Sequence, residues 1–161
     1  MSWRNQRIDD RLIHGQIVVA WGAALRLARL VVVDDQAAAS AWERELLASA
    51  APGVQVSVLP LAEAVACWAA ERGAAGDAML LLRDLRTARV LVESGADVPA
   101  FTLGGLHYAP GKTKLNEYVY LDDADREDAR ALLRRGVKLE AQDVPATRPQ
   151  VLTVLDPTLA P

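Results

Sequence analysis

The run Leu30-Val31-Val32-Val33 limits most strongly what this chain can fold into. Three of its four residues are β-branched, no polar side chain interrupts it, and Asp34 and Asp35 close it. A strand with one face in water alternates apolar and polar residues. A strand without that alternation is covered on both faces, as in a parallel sheet held between two layers of helices. Ala78-Met79-Leu80-Leu81-Leu82 repeats the signal and ends in Arg83-Asp84.

The segments between these runs are long enough for helices and carry the helical period. Residues 16–27 place Ile17, Val18, Trp21, Ala24, Leu25 and Ala28 on one stripe, with Trp21 as a core anchor. Residues 37–50 form an alanine-rich helix with Trp42, Leu46 and Leu47 on one face, stopped by Pro52-Gly53. Pro60 opens a helix through Arg72 with Leu61, Val65, Trp68 and Ala69 inward. Residues 86–94 give a short helix. Residues 124–135 give another, capped by Asp122 or Asp123, with Ala129, Leu132 and Leu133 on one face. Strands are expected at 3–8, 30–35, 54–59, 78–82, 98–103, 117–121 and 137–144. The first is poor, because Asn5 and Gln6 are polar where a central strand favours Val or Ile.

Strands alternating with helix-length crossovers imply a three-layer α/β/α domain on an open, mostly parallel, twisted sheet of about six or seven strands. One domain spans 1–161. Residues 145–161 read as an extended, proline-rich tail docked through Val151, Leu152, Val154 and Leu155.

In such a sheet, ligands bind beyond the carboxyl ends of the strands. The loops at that edge are 9–15, Asp34-Asp35, Arg83-Asp84 and 104–114, and they contain both histidines of the chain, His14 and His107. The densest is Arg7-Ile8-Asp9-Asp10-Arg11-Leu12-Ile13-His14-Gly15-Gln16. A phosphohistidine needs an accessible ring nitrogen and compensation for added negative charge. Backbone N–H groups of Gly15, Gln16 and Ile17 at a helix start supply part of it. Arg11 and Arg7 can pair with phosphoryl oxygens, and either Asp9 or Asp10 can fix the other ring nitrogen, with Asp10 taken as the catalytic group beside His14 and Arg11 and Asp9 as a pocket candidate. The same aspartates also suit simple loop capping. His107 either lines the same pocket or packs within its own loop, and the second reading is preferred. Lys112 and Lys114 offer charge for an acidic partner or a phosphate. Arg83 is a further pocket candidate.

Other classes are excluded by what is missing. The net charge of −3 argues against a general nucleic-acid binder. No Cys/His metal spacing, P-loop, dinucleotide fingerprint or nucleophile elbow is present, so no metal or cofactor is expected. The single cysteine, Cys67, lies in an apolar helical stretch and reads as a buried small hydrophobe. The segment Met1 to Arg7 has no apolar signal-peptide core, which makes a cytoplasmic location the expectation.

The stretch from Arg7 to Gln16 closely resembles the IIB component of the mannose/fructose/sorbose family of bacterial sugar phosphotransferase systems. The resemblance continues in order through Val31-Val32-Val33-Asp34-Asp35, Ala51-Pro52-Gly53-Val54, Leu103-Gly104-Gly105-Leu106-His107, Gly111-Lys112, Gly136-Val137 and Gln142-Asp143-Val144-Pro145. It covers residues 7–145. It implies an open, largely parallel α/β sheet and a phosphocarrier with the phosphorylated histidine at His14. The donor would be a phosphohistidine on a IIA protein. The acceptor would be a sugar carried by membrane partners IIC and IID, which would hold this protein at the inner face of the membrane. A homo-oligomer is compatible with it, and so is a regulatory module that takes phosphate without sugar transport; the alternative outside the family is an unrelated small α/β enzyme. Two departures stand out: the polar first strand, and the uncharged run between Asp35 and Trp42.

Overall fold

The computed structural model describes residues 3–160, with only the backbone of Arg72. The chain ends, Met1, Ser2 and Pro161, lie outside the described residues.

The first strand, β1 (Trp3–Asp9), forms despite its polar residues. Asn5 Nδ2 donates to Thr102 Oγ1 at 3.2 Å, so part of that polarity is used within the sheet. A helical segment follows, with π turns over Gln16–Trp21 and one α turn, α1 (Gly22–Leu25). β2 (Arg29–Val33) is buried along its whole length. Then come α2 (Asp35–Ala39), α3 (Ala41–Ala50), β3 (Gln55–Leu59), α4 (Leu61–Gly73), β4 (Ala78–Leu82), α5 (Leu85–Glu93) and β5 (Ala100–Gly105). A two-stranded ribbon, β6 (Thr113–Lys114) with β7 (Tyr120–Leu121), precedes α6 (Asp123–Arg134), β8 (Lys138–Ala141), β9 (Gln150–Val151) and α7 (Leu152–Leu155).

The sheet order is β3-β2-β4-β1-β5-β8-β9, parallel except for the last pair. This is the mostly parallel seven-stranded sheet expected. Along β2, Val31 and Val33 join α4, α5 and α6 on one face, while Leu30 and Val32 join the first helix and Leu47 of α3 on the other. The unbroken apolar run therefore has the two-sided cover it requires.

Several expectations are corrected. The first helix ends at Leu25, and Ala24 and Ala28 are exposed, because the wider π turns shift the phase of the apolar stripe. The helix expected over 37–50 is two helices. Ser40 has extended backbone and caps α3 by accepting from the Glu43 N–H. The break rotates Trp42 outward, to 72% exposure, and leaves Leu46 exposed, so of the three expected residues only Leu47 is buried. On α4, Ala64 and Trp68 face the core and Ala69 does not. The residues after 145 form a short strand, a helical turn and a 3₁₀ turn (Pro157–Leu159). Leu152 and Leu159 dock this segment, while Val151 and Val154 are exposed. Arg126 of α6 holds it through Asp156 at 2.7 Å.

β1 lies between β4 and β5. The helix after β1 covers one face of the sheet, and α6, the helix after β5, covers the other. A crevice opens where neighbouring connections part in this way. At its floor Asp9 of β1 pairs with Gly105 of β5, with an irregularity between Ile8 and Asp9.

Candidate functional site

Strand parity starts the site. Ile8 points toward the face covered by α4, α5 and α6, so Arg7 and Asp9 point to the opposite face, where Trp21 lies. Both charged residues are fully buried. A buried charge persists only when paired and hydrogen-bonded. Arg7 Nη1 and Nη2 donate to the carbonyls of Gln142 and Asp143 at 2.8 and 2.7 Å. Its Nε lies 3.5 Å from Asp9 Oδ2, and its guanidinium carbon is 5.1 Å from the centre of the Trp21 ring. Trp21 Nε1 donates to the same Asp143 carbonyl at 2.9 Å. Burial pulls the Arg7 guanidinium below its ordinary value, against the raising effect of Asp9. The expected contact of Arg7 with a phosphoryl group is therefore corrected. Its donors hold two carbonyls in the interior, and it supports Asp9 from below.

Asp9 is the hub of the site. Its Oδ2 lies 3.0 Å from His14 Nε2. Its Oδ1 accepts from the Arg11 backbone N–H at 3.2 Å and from Arg11 Nε at 3.3 Å. Burial alone would raise this carboxyl. The hydrogen bond and charge of His14 act against it, with the charges of Arg7 and Arg11, and the net position is below the usual carboxylate range. An ionised carboxylate only accepts, so His14 Nε2 carries a proton in either state of the ring, and in the neutral ring Nδ1 carries the lone pair. Among the described residues, Nδ1 has no hydrogen-bond partner. The expectation left open which aspartate fixes the ring and favoured Asp10 for the catalytic group. Asp9 is the one that touches His14.

Asp10 serves His107. Its Oδ1 lies 2.7 Å from His107 Nδ1, and its Oδ2 accepts from the His107 backbone N–H at 2.7 Å. His107 is not packed away in its loop; its side chain is 47% exposed at the rim of the crevice. The two adjacent aspartates thus each hold one histidine.

The loop that carries His14 is tightly shaped. Leu12 has φ 56°, in the left-handed region that a non-glycine residue occupies at a cost of about 1–3 kcal/mol. Its buried side chain and a bond from its N–H to the Asp9 carbonyl at 2.9 Å hold it there. The His14 carbonyl accepts from the N–H groups of Ile17 and Val18, at 3.0 and 3.1 Å. Ile17 is therefore engaged within the helix, which corrects its expected part in a phosphate cradle. Gly15 and Gln16 remain at the helix start.

Two glycines of β5 make room. A Cβ on Gly104 would lie 1.9 Å from the Arg7 guanidinium carbon, which no rearrangement short of moving the cation accommodates. A Cβ on Gly105 would lie 3.0 Å from Asp9 Oδ1, 3.0 Å from His107 Cε1 and 3.2 Å from Arg11 Nη2. Asp9, Arg11 and His107 therefore converge on one point.

The remaining candidates separate. Arg11 is 39% exposed, bonded to Asp9 and, through Nη2, to Gln16 Oε1 at 3.2 Å. It stands beside His14 with part of its fork toward solvent. Arg83 is tied to Asp34 at 2.9 and 3.0 Å and to Glu43 at 3.0 Å, and it donates to the Asp10 carbonyl at 3.3 Å. It braces the loop. Lys112 pairs with Asp125 at 2.7 Å and Lys114 with Glu117 at 2.7 Å, so each already faces a carboxylate of this chain. Among the described residues, no group of three or more His, Cys, Asp or Glu is placed to hold a metal ion, and no helix is long and apolar enough to cross a membrane.

The depressed Asp9 carboxyl fixes a pH dependence. A folded value below the unfolded one, about 4, stabilises the fold fully above that pH and is lost as pH falls through the folded value. The stability gap between wild type and Asp9→Asn should therefore narrow as urea midpoints are taken from pH 7 toward pH 3. A gap that stays constant would show that Asp9 is not the titrating group.

The chain has counterparts among known proteins. Residues 4–156 match the family model of the PTS system sorbose subfamily IIB component. The PTS system mannose-specific EIIAB component of Escherichia coli (strain K12) is 35% identical over 139 residues, which is 86% of this chain and 43% of that protein. This chain thus spans less than half the length of that relative. The PTS system sorbose-specific EIIB component of Klebsiella pneumoniae is 34% identical over 151 residues, 93% of this chain and 91% of that one. Among solved structures, the IIBSor domain of the sorbose permease from Klebsiella pneumoniae superposes with a TM-score of 0.89 at 30% identity, covering 99% of each chain.

Proposed function

The chain belongs to the sorbose subfamily of PTS IIB components, and from that premise we propose that it is the phosphocarrier that receives a phosphoryl group on His14 and passes it to a sugar. The donor is a phosphohistidine of a IIA protein. The sugar is presented by membrane partners of the IIC and IID type, which keep the carrier at the inner face of the membrane. One observation carries the reading: Asp9 holds His14 Nε2 at 3.0 Å and leaves Nδ1 as the ring nitrogen with a lone pair.

The chemistry follows from that tautomer. Nδ1 attacks the donor's phosphorus, the donor's N–P bond breaks, and the donor imidazole leaves with the bonding electrons. The positive character that develops on the His14 ring is met by Asp9 through the Nε2 proton. Added negative charge on the phosphoryl oxygens is met by Arg11 and by the N–H groups of Gly15 and Gln16. The transition state is loose, so position and charge do most of the catalysis.

The test supplies a labelled, phosphorylated IIA protein and follows label onto this chain with and without His14. A second measurement concerns Arg11. Arg11→Ala should slow uptake of label by a factor equivalent to roughly 1.5–3 kcal/mol, the range for a charged hydrogen bond. Unchanged rates would reduce Arg11 to a brace for the loop.

A further inference from the structure

We propose that His107, held by Asp10, accepts the proton of the sugar hydroxyl when the phosphoryl group leaves His14. The inference rests on the phosphocarrier reading above and assigns a separate residue to its second half.

The two half-reactions differ in their proton balance. Uptake moves a phosphoryl group from one nitrogen to another, and no proton has to be removed from a nucleophile. Discharge moves it to a hydroxyl. There the O–P bond forms, the His14 N–P bond breaks with its electrons returning to Nδ1, and the hydroxyl proton needs an acceptor. His14 returns to its starting tautomer with the proton still on Nε2, so it does not take up that proton. Asp9 lies on the far side of the His14 ring and is bonded to Nε2. Arg11 has no acceptor atom.

His107 has what is missing. Its Nδ1 lies 2.7 Å from Asp10 Oδ1, and an ionised carboxylate there makes Nδ1 the protonated nitrogen and Nε2 the acceptor. The second oxygen of Asp10 fixes the backbone of the same residue at 2.7 Å. A ring oriented through one nitrogen by a carboxylate, with the other nitrogen outward, is the usual build of a histidine base. The ring borders the His14 side of the crevice. Its Cε1, Asp9 Oδ1 and Arg11 Nη2 all lie within 3.2 Å of the point where a Gly105 Cβ would stand. The side chain is 47% exposed, so a hydroxyl can reach it.

The two half-reactions are measured apart on His107→Gln and His107→Ala. Uptake of label from a phosphorylated IIA protein should stay within about twofold of wild type. Discharge to sugar, on vesicles bearing the IIC and IID partners, should fall by roughly 10²-fold or more, the range for a lost general base. Asp10→Asn should lower discharge in the same direction, since the ring loses its orienting carboxylate. Wild-type discharge in both His107 variants would overturn the proposal. So would an equal loss in both half-reactions, which marks a role in loop structure; melting curves of both variants show whether the fold has changed. Wild-type protein that takes up no label would instead sink the phosphocarrier reading itself.

Discussion

Replacing His14 with alanine should remove phosphoryl uptake altogether: label from a phosphorylated IIA donor, expected to be acid-labile and alkali-stable on the wild type, should be absent from the variant. No other group stands ready to take over at that position. Asp9 is buried beneath the ring, and Arg11 is a cation that cannot act as a nucleophile. His107 is the other histidine at this edge, with a side chain 47% exposed, so digestion and mapping of any residual label decides between a vacant site and a substitute acceptor. The variant should fold. It removes one hydrogen bond to a buried carboxylate, a loss of about 1–3 kcal/mol. Full labelling of folded His14→Ala would transfer the acceptor role to another residue and end the present assignment.

The largest stability effect is expected at Arg7. Arg7→Met keeps much of the volume and removes the charge. The Gln142 carbonyl loses its Arg7 donor, the Asp143 carbonyl keeps only that of Trp21, Trp21 loses the cation 5.1 Å from its ring centre, and Asp9 loses one of the cations that hold it ionised. Breaking a buried pair by removing one partner costs about 3–5 kcal/mol. At roughly 2–4 °C per kcal/mol for a chain of this size, the midpoint of thermal unfolding should drop by about 6–20 °C. Lysine should not rescue it, since a single ammonium cannot make the forked contact to two carbonyls. A wild-type midpoint for Arg7→Met would show that the clasp contributes little.

Much of this organisation is legible in the residues, and the reasons are local. Leu30 to Val33 lack polar alternation because both faces of β2 are covered. Asp34, Asp84 and Asp122 sit where helices begin and cap them, accepting from Ala37, Thr87 and Asp125. The gathering of both histidines at one edge follows from strand direction alone. What was not legible depends on distant partners. Asn5 makes β1 look like a weak strand until Thr102 accepts from it, and Arg7 looks free for a phosphoryl group until residues 142 and 143 supply carbonyls to it. Lys112 looks available until Asp125 of α6 meets it. The assignment of Asp9 to His14 and Asp10 to His107 turns on strand parity at the irregularity after Ile8. The outward turn of Trp42 turns on a single cap at Ser40. The glycine pair of β5 is the clearest signal that carried more than was read from it, since Gly104 and Gly105 mark where a guanidinium and the site's side chains approach the backbone.

The Arg7 clasp has a consequence for energetics beyond stability. A carrier in a relay must release its cargo with nearly the transfer potential at which it arrived. If dipoles had to swing into place on loading, part of that potential would go into reorganisation and be lost as heat. Here the groups beneath His14 are oriented when the chain folds: Arg7 by two carbonyls, Asp9 by Arg7 and Arg11. Preset dipoles of this kind need little rearrangement as charge comes and goes. With His14 as the carrier residue proposed above, the buried network would let the phosphoryl group pass with little dissipation in either direction.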